Sequence, residues 1–220
     1  MQPLSVSEQN VELLEKNRPQ QQRAIKTYEA ILSAAGELLC EVGLERISTN
    51  IIAERAGVTV PALYRYFPNK YAVINALAGR LLEAQTEVFA DWYRQRVKGH
   101  GIEALLDGLE AVLRDLYRVT RDFPGGLELI YGMQAMAPLQ DVQQQSHWDT
   151  AEKFARLWSE ITGEPMSESL EQRARMALRM GSMTIQMALE DKRTNPETTL
   201  HEGARALRTY LDNTLTTSSP

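Results

Sequence analysis

Between Thr49 and Arg65 the sequence places Thr49, Asn50, Thr59, Tyr64 and Arg65, side chains that bond phosphate oxygens and base edges. A hydroxyl beside the free amides of a helix N-terminus suits a phosphate oxygen, so Thr49 is a candidate phosphate contact as well as a helix cap. Asn50 can hold adenine with two hydrogen bonds in a major groove. Thr59 suits a base, a phosphate or a cap. Val60, Pro61 and Ala62 offer the apolar contacts that thymine methyls accept, and Tyr64 extends this base-reading set. Arg65 is placed for phosphate. Nothing comparable exists for catalysis. His100, His147 and His201 are far apart, no His-Glu-x-x-His occurs, and no glycine-rich phosphate loop follows a strand pattern. Cys40 stands alone, in a position that reads as helix packing. The chemistry is recognition, with no metal or cofactor expected.

These side chains need elements to hold them. Ser48 and Thr49 supply N-cap oxygens for a short helix through Ala56, and Gly57 closes it. Thr59 can cap a second short helix, where Pro61 is tolerated because first-turn amides have no acceptor to lose. Pro68 ends that helix near Phe67. Asn69 then caps a long helix to about Lys98. Upstream, apolar residues at 28, 31, 32, 35, 38, 39 and 42 mark one face of a helix, with Gly43 as its stop. Ala53, four residues before Gly57, permits close crossing of the two short helices, and Gly57 supplies the positive φ of the turn. Such a helix-turn-helix offers the start of its second helix to the major groove.

The run from Ser48 to Lys70, with its Ala-Gly-Val turn, its Leu63-Tyr64-x-Tyr66-Phe67 segment and a lysine three residues later, resembles the DNA-binding signature of the TetR family of transcriptional regulators. The resemblance covers about residues 25–80. It implies that Tyr66 and Lys70 contact phosphates. It implies a helical body whose last two helices dimerise as a four-helix bundle, and a cavity for an apolar ligand within that body. The implied function is a repressor on a near-palindromic operator in duplex DNA, released by an apolar or aromatic small molecule. The rival readings are a helical interaction module without an effector and, more remotely, an enzyme.

Helical periodicity continues to the end of the chain, with helices expected at about 102–121, 127–136, 139–162, 167–191 and 196–216. The expected fold is all-α with about nine helices. A flexible extension and basic arm covers 1–23, with Arg18, Arg23 and Lys26 as further candidate DNA contacts. The helix-turn-helix head covers 24–72, the ligand-binding and dimerisation body 73–216, and a disordered tail 217–220. Ala177, Gly181 and Ile185 lie on a small-residue face of the penultimate helix, and Leu207 and Leu211 on a stripe of the last one. They are the candidate dimer interface, although the same spacing serves an internal core. Trp92, Tyr117, Tyr131, Trp148 and Met180 are the candidate ligand contacts, with the same reservation between wall and core.

Composition agrees with this division. Of the net charge of -5, residues 18–70 carry seven basic against five acidic side chains, whereas the remainder is acidic. A basic head on an acidic body fits contact with nucleic acid through the head alone. A lone cysteine, no long apolar run and an acidic, Gln-rich N-terminus predict a cytoplasmic protein without a membrane span.

Overall fold

In a computed structural model, residues 12–17 and 19–216 are described, the last four of these without side chains. Residues 1–11 of the expected extension, Arg18 of the expected basic arm and the tail 217–220 lie outside the described residues. Among the described residues there are ten α-helices and no strand. They are α1 (Gln22–Arg46), α2 (Thr49–Arg55), α3 (Val60–Tyr64), α4 (Lys70–Trp92), α5 (Gly101–Asp107), α6 (Leu109–Asp122), α7 (Gly126–Ala135), α8 (Ala137–Thr162), α9 (Glu168–Glu190) and α10 (Pro196–Thr216). A π-helical turn, Tyr93–Val97, prolongs α4, with Lys98 N–H donating to the Tyr93 carbonyl at 3.0 Å.

The tenth helix comes from a break that periodicity could not show. The expected helix at 102–121 divides at Gly108, where an added Cβ would lie 2.7 Å from Cζ2 of Trp92. The indole occupies the space a side chain would need, so α5 and α6 bend around it. Helix α1 starts earlier than the apolar face suggested, which places Arg23 and Lys26 on a helix rather than in a loose arm. Gly43 does interrupt α1, with φ of 71°, but one more helical turn follows it.

Two apolar clusters hold the chain together. The first joins Tyr28, Ile31, Leu32, Leu39, Ile52, Leu63, Phe67 and Ile74. It runs on to Leu77 and Leu81, beyond the expected boundary at residue 72, and takes in Leu129 of α7 and Leu139 of α8. The head is therefore packed onto part of the body. Arg80 of α4 reinforces it through two 2.5 Å hydrogen bonds to Glu29 of α1, with its guanidinium over the Tyr28 ring. The second cluster contains Trp92, Leu105, Leu106, Leu113, Tyr117, Trp158, Ala177, Ile185, Leu207 and Leu211.

Ala177, Ile185, Leu207 and Leu211 are 2 to 6% exposed within a single chain. Gly181 is also buried, with Leu113 3.5 Å from where its Cβ would be. The small-residue face is thus core of one protomer, and the expectation that it forms the dimer interface is corrected. Its small side chains let α9 pack against α6 and α10 of its own chain.

Candidate nucleic-acid interface

Local capping chemistry builds the helix-turn-helix. Ser48 Oγ accepts the Ile51 N–H at 3.4 Å and so caps α2. That leaves Thr49, in the first turn, without the capping role that it shared with Ser48 above. At the end of α2, Val58 N–H donates to Ala53 O and Gly57 N–H to Glu54 O. This pair of bonds, with Gly57 at φ +65°, is a Schellman turn that only a residue tolerant of positive φ closes cheaply. Thr59 Oγ1 accepts the Ala62 N–H at 3.3 Å and caps α3. Leu63, fully buried, wedges α3 against the cluster below.

One exposed edge results. Thr49 Oγ1 and the Tyr64 hydroxyl meet at 3.2 Å, tying the start of α2 to the end of α3. Asn50, Thr59, Pro61, Tyr64 and Arg65 are exposed, and Thr49, Val60, Ala62 and Lys70 are half-buried. Lys70 Nζ donates to the Ile47 carbonyl at 3.2 Å, so its ammonium is held at the junction of α1, α2 and α4. Tyr66 differs from the others. It is 5% exposed, its ring packs edge-on against Tyr28, and its carbonyl accepts Lys16 N–H at 2.8 Å. Its principal role is as a wall of the head core.

The segment before α1 is bonded to this head. Asn69 caps α4 through Oδ1 and donates through Nδ2 to the Glu12 carbonyl at 2.8 Å. Asn75 Nδ2 donates to Leu13 O, and Asn17 Nδ2 to Arg65 O. Sequence reading treated residues 12–17 as loose. The partners that hold them sit more than forty-five residues away, and nothing in local periodicity signals that pairing.

The five candidate ligand residues do not converge. Trp92 and Tyr117 are buried in the second cluster with Met180 packed against it, whereas Tyr131 and Trp148 are 41% and 52% exposed. Burial, aided by a hydrogen bond to Glu190, raises the Tyr131 phenol above its usual value. A cavity of about 10 Å³, room for one water, is lined by Phe154, Trp158, Leu170, Arg173, Ala174 and Leu211. A cleft of about 110 Å³ lies between α8 and α9 and includes Trp148 alone of the five. Trp92 carries a separate anomaly, since its buried indole N–H has no acceptor among the described residues.

Two family models match the chain. Bacterial regulatory proteins of the tetR family match residues 31–77, and a tetracyclin repressor-like C-terminal domain matches residues 103–215, about half of the chain. The chain belongs to the TetR family. As a family of transcription factors it accounts for the absence of a catalytic constellation in the sequence. The Escherichia coli tetracycline repressor protein class C is 50% identical over 54 residues, 24% of this chain and 25% of that protein. The chain thus spans about a quarter of that relative's length. A TetR-family transcriptional regulator from Streptomyces coelicolor superposes with a TM-score of 0.64 at 28% identity, covering 85% of this chain and 98% of that one. NalD of Pseudomonas aeruginosa, at 22% identity and a TM-score of 0.63, shares the fold over 86% of this chain and 97% of its own. Among the described residues no helix is long and apolar enough to cross a membrane.

Proposed function

We propose that this TetR-family chain is a transcriptional repressor that binds near-palindromic duplex DNA as a homodimer and leaves it when a small molecule binds the body. The observation that carries the reading is the exposed edge of α2 and α3. Asn50, Thr59, Pro61 and Tyr64 stand clear of the core there, while Lys70 is fixed beside them by Ile47. The edge joins groups that read bases to groups that bind phosphates, the two components of sequence-specific recognition. The word repressor rests on the relative named above, the Escherichia coli tetracycline repressor protein class C.

Dimerisation is assigned to the outer face of α9. Met176, Met183 and Met187 are 45%, 54% and 52% exposed, and their spacing of seven and four residues aligns them on one side of the helix. A flexible, apolar stripe of this kind fits a twofold contact with a second copy.

Helix α4 supplies the coupling between body and head. It starts at Lys70 against the head and ends at Trp92, where an unpaired indole N–H and a π-helical turn coincide. An effector carrying an acceptor would satisfy that N–H, and any ligand that favours a different inclination of α4 alters the spacing of the two heads. Coupling of ~1–3 kcal/mol changes operator affinity some 5- to 150-fold.

Asn50→Ala tests the recognition edge. Its side chain is exposed and absent from the hydrogen bonds of the head, so folding is unaffected. Discrimination at one base pair of each half-site should fall by ~1–3 kcal/mol. Sites selected by the variant from a random duplex pool should be degenerate at that position. An identical site for variant and parent removes Asn50 from base reading.

A further inference from the structure

Gln144, His147 and Trp148 on α8 face Arg175, Leu178 and Arg179 on α9 across the cleft of about 110 Å³. The guanidinium of Arg175 lies 4.8 Å from the centre of the Trp148 ring, and its Nε donates to Gln172 Oε1 at 3.0 Å. Ring and amide together fix its orientation while leaving its terminal nitrogens uncommitted. Arg179 follows one helical turn later, so the two cations lie on the same side of α9.

Neither guanidinium has a carboxylate partner among the described residues. Arg114, Arg156, Arg173 and Arg208 all bind carboxylates. Two acids of α8 are engaged elsewhere, Asp149 accepting from Gln145 and Glu152 from Arg156. His147 adds no charge. Burial, and then the field of Arg179, holds its imidazole below the ordinary value, so at neutral pH it offers one donor and one acceptor. Two cations and a neutral imidazole surround a cleft with one indole and one aliphatic wall. Its size approaches the ~150 Å³ of a cavity that admits benzene.

We propose that this cleft binds a small organic carboxylate, its head group paired with Arg175 and Arg179 and its apolar body laid against Leu178 and the edge of Trp148. Guanidinium and carboxylate match in charge and planar geometry, and two guanidiniums can address both oxygens. An uncharged ring satisfies only the walls, and an inorganic anion only the cations. The site shares no residue with the neighbourhood of Trp92, and binding here stands whether or not occupancy releases DNA.

Calorimetric titration of the full chain with benzoate tests the proposal, with benzamide and inorganic sulfate as comparators. Fluorescence provides a second readout, because Trp148 is the exposed tryptophan while Trp92 and Trp158 are buried. Benzoate should bind one per chain and alter the tryptophan emission. Benzamide and sulfate should each bind at least about 10-fold more weakly. The double variant Arg175→Gln/Arg179→Gln should lose at least about 10-fold in benzoate affinity with an unchanged melting curve. Absence of binding up to millimolar benzoate, equal binding of benzamide or sulfate, or an undiminished double variant each overturns the proposal. Should the double variant melt early, Arg179→Lys, which keeps the charge but loses the planar fork, replaces it, and undiminished benzoate affinity then counts against the site. None of these outcomes depends on DNA, so failure here leaves the operator reading intact.

Discussion

Phe67→Ala should unfold the head and abolish DNA binding while the body survives. Phe67 is fully buried, and its ring stacks on Tyr28 with centroids 5.1 Å apart and planes 28° from parallel. It closes the cluster that α1, α3 and α4 share, directly beneath the recognition edge. Removing a buried phenylalanine costs ~3–5 kcal/mol, the lost transfer energy plus that of the cavity left behind. For a chain of this length that lowers the midpoint of the affected transition by roughly 10 °C. The cluster around Trp92, Leu113 and Trp158 shares no residue with the one that holds Phe67, so the loss falls on the head and on the parts of α7 and α8 packed against it. Circular dichroism should show an early helical transition, and sedimentation should still show a dimer. A melting curve superimposable on that of the parent contradicts the packing described for Phe67.

The second large effect is expected at Met183→Asp combined with Met187→Asp. Both side chains are more than half exposed within one chain, so the substitutions leave the protomer's core untouched. In a dimer they would place four carboxylates in an apolar contact, each costly to desolvate without a partner. Sedimentation should show a monomer, and operator affinity should fall ~10²- to 10⁴-fold, because two linked heads gain that much over one. A double variant that remains dimeric would move the interface off this face of α9. Gly181→Trp, by contrast, is no test of dimerisation. Gly181 packs against Leu113 of its own chain, so a tryptophan there disrupts the protomer first.

What the sequence disclosed followed from how local each signal was. The helix-turn-helix was legible because its caps, its turn glycine and Pro68 act within a few residues of themselves. Of the two residues expected to cap α2, Ser48 and Thr49, the structure uses Ser48. Helix limits in the body were legible from Pro and Gly breaks, except at Gly108, whose role depends on an indole sixteen residues away. Faces were harder. The small-residue stripe of α9 and the leucines of α10 have the period of an interface and of a core alike, and only the packing of α6 against both helices decides for the core. Tyr131 has the composition of a pocket wall but is 41% exposed, and Trp148 lines a cleft with α9 that none of the other four candidates reaches. Arg175 and Arg179 read as ordinary solvated charges on a helix, since the Trp148 that stacks on one of them lies on a different helix.

The central claim is that the α2–α3 edge reads duplex DNA with twofold symmetry. Selection of sites from a random duplex pool by the full chain, followed by affinity measurements across a salt series, tests it most directly. The account predicts enrichment of an inverted repeat with half-sites about one helical turn or more apart. That site should be bound at least ~10³-fold more tightly than a shuffled duplex, with affinity falling steeply as salt rises. A pool that stays random through repeated selection, with equal and salt-insensitive affinity for selected and shuffled duplexes, would contradict it.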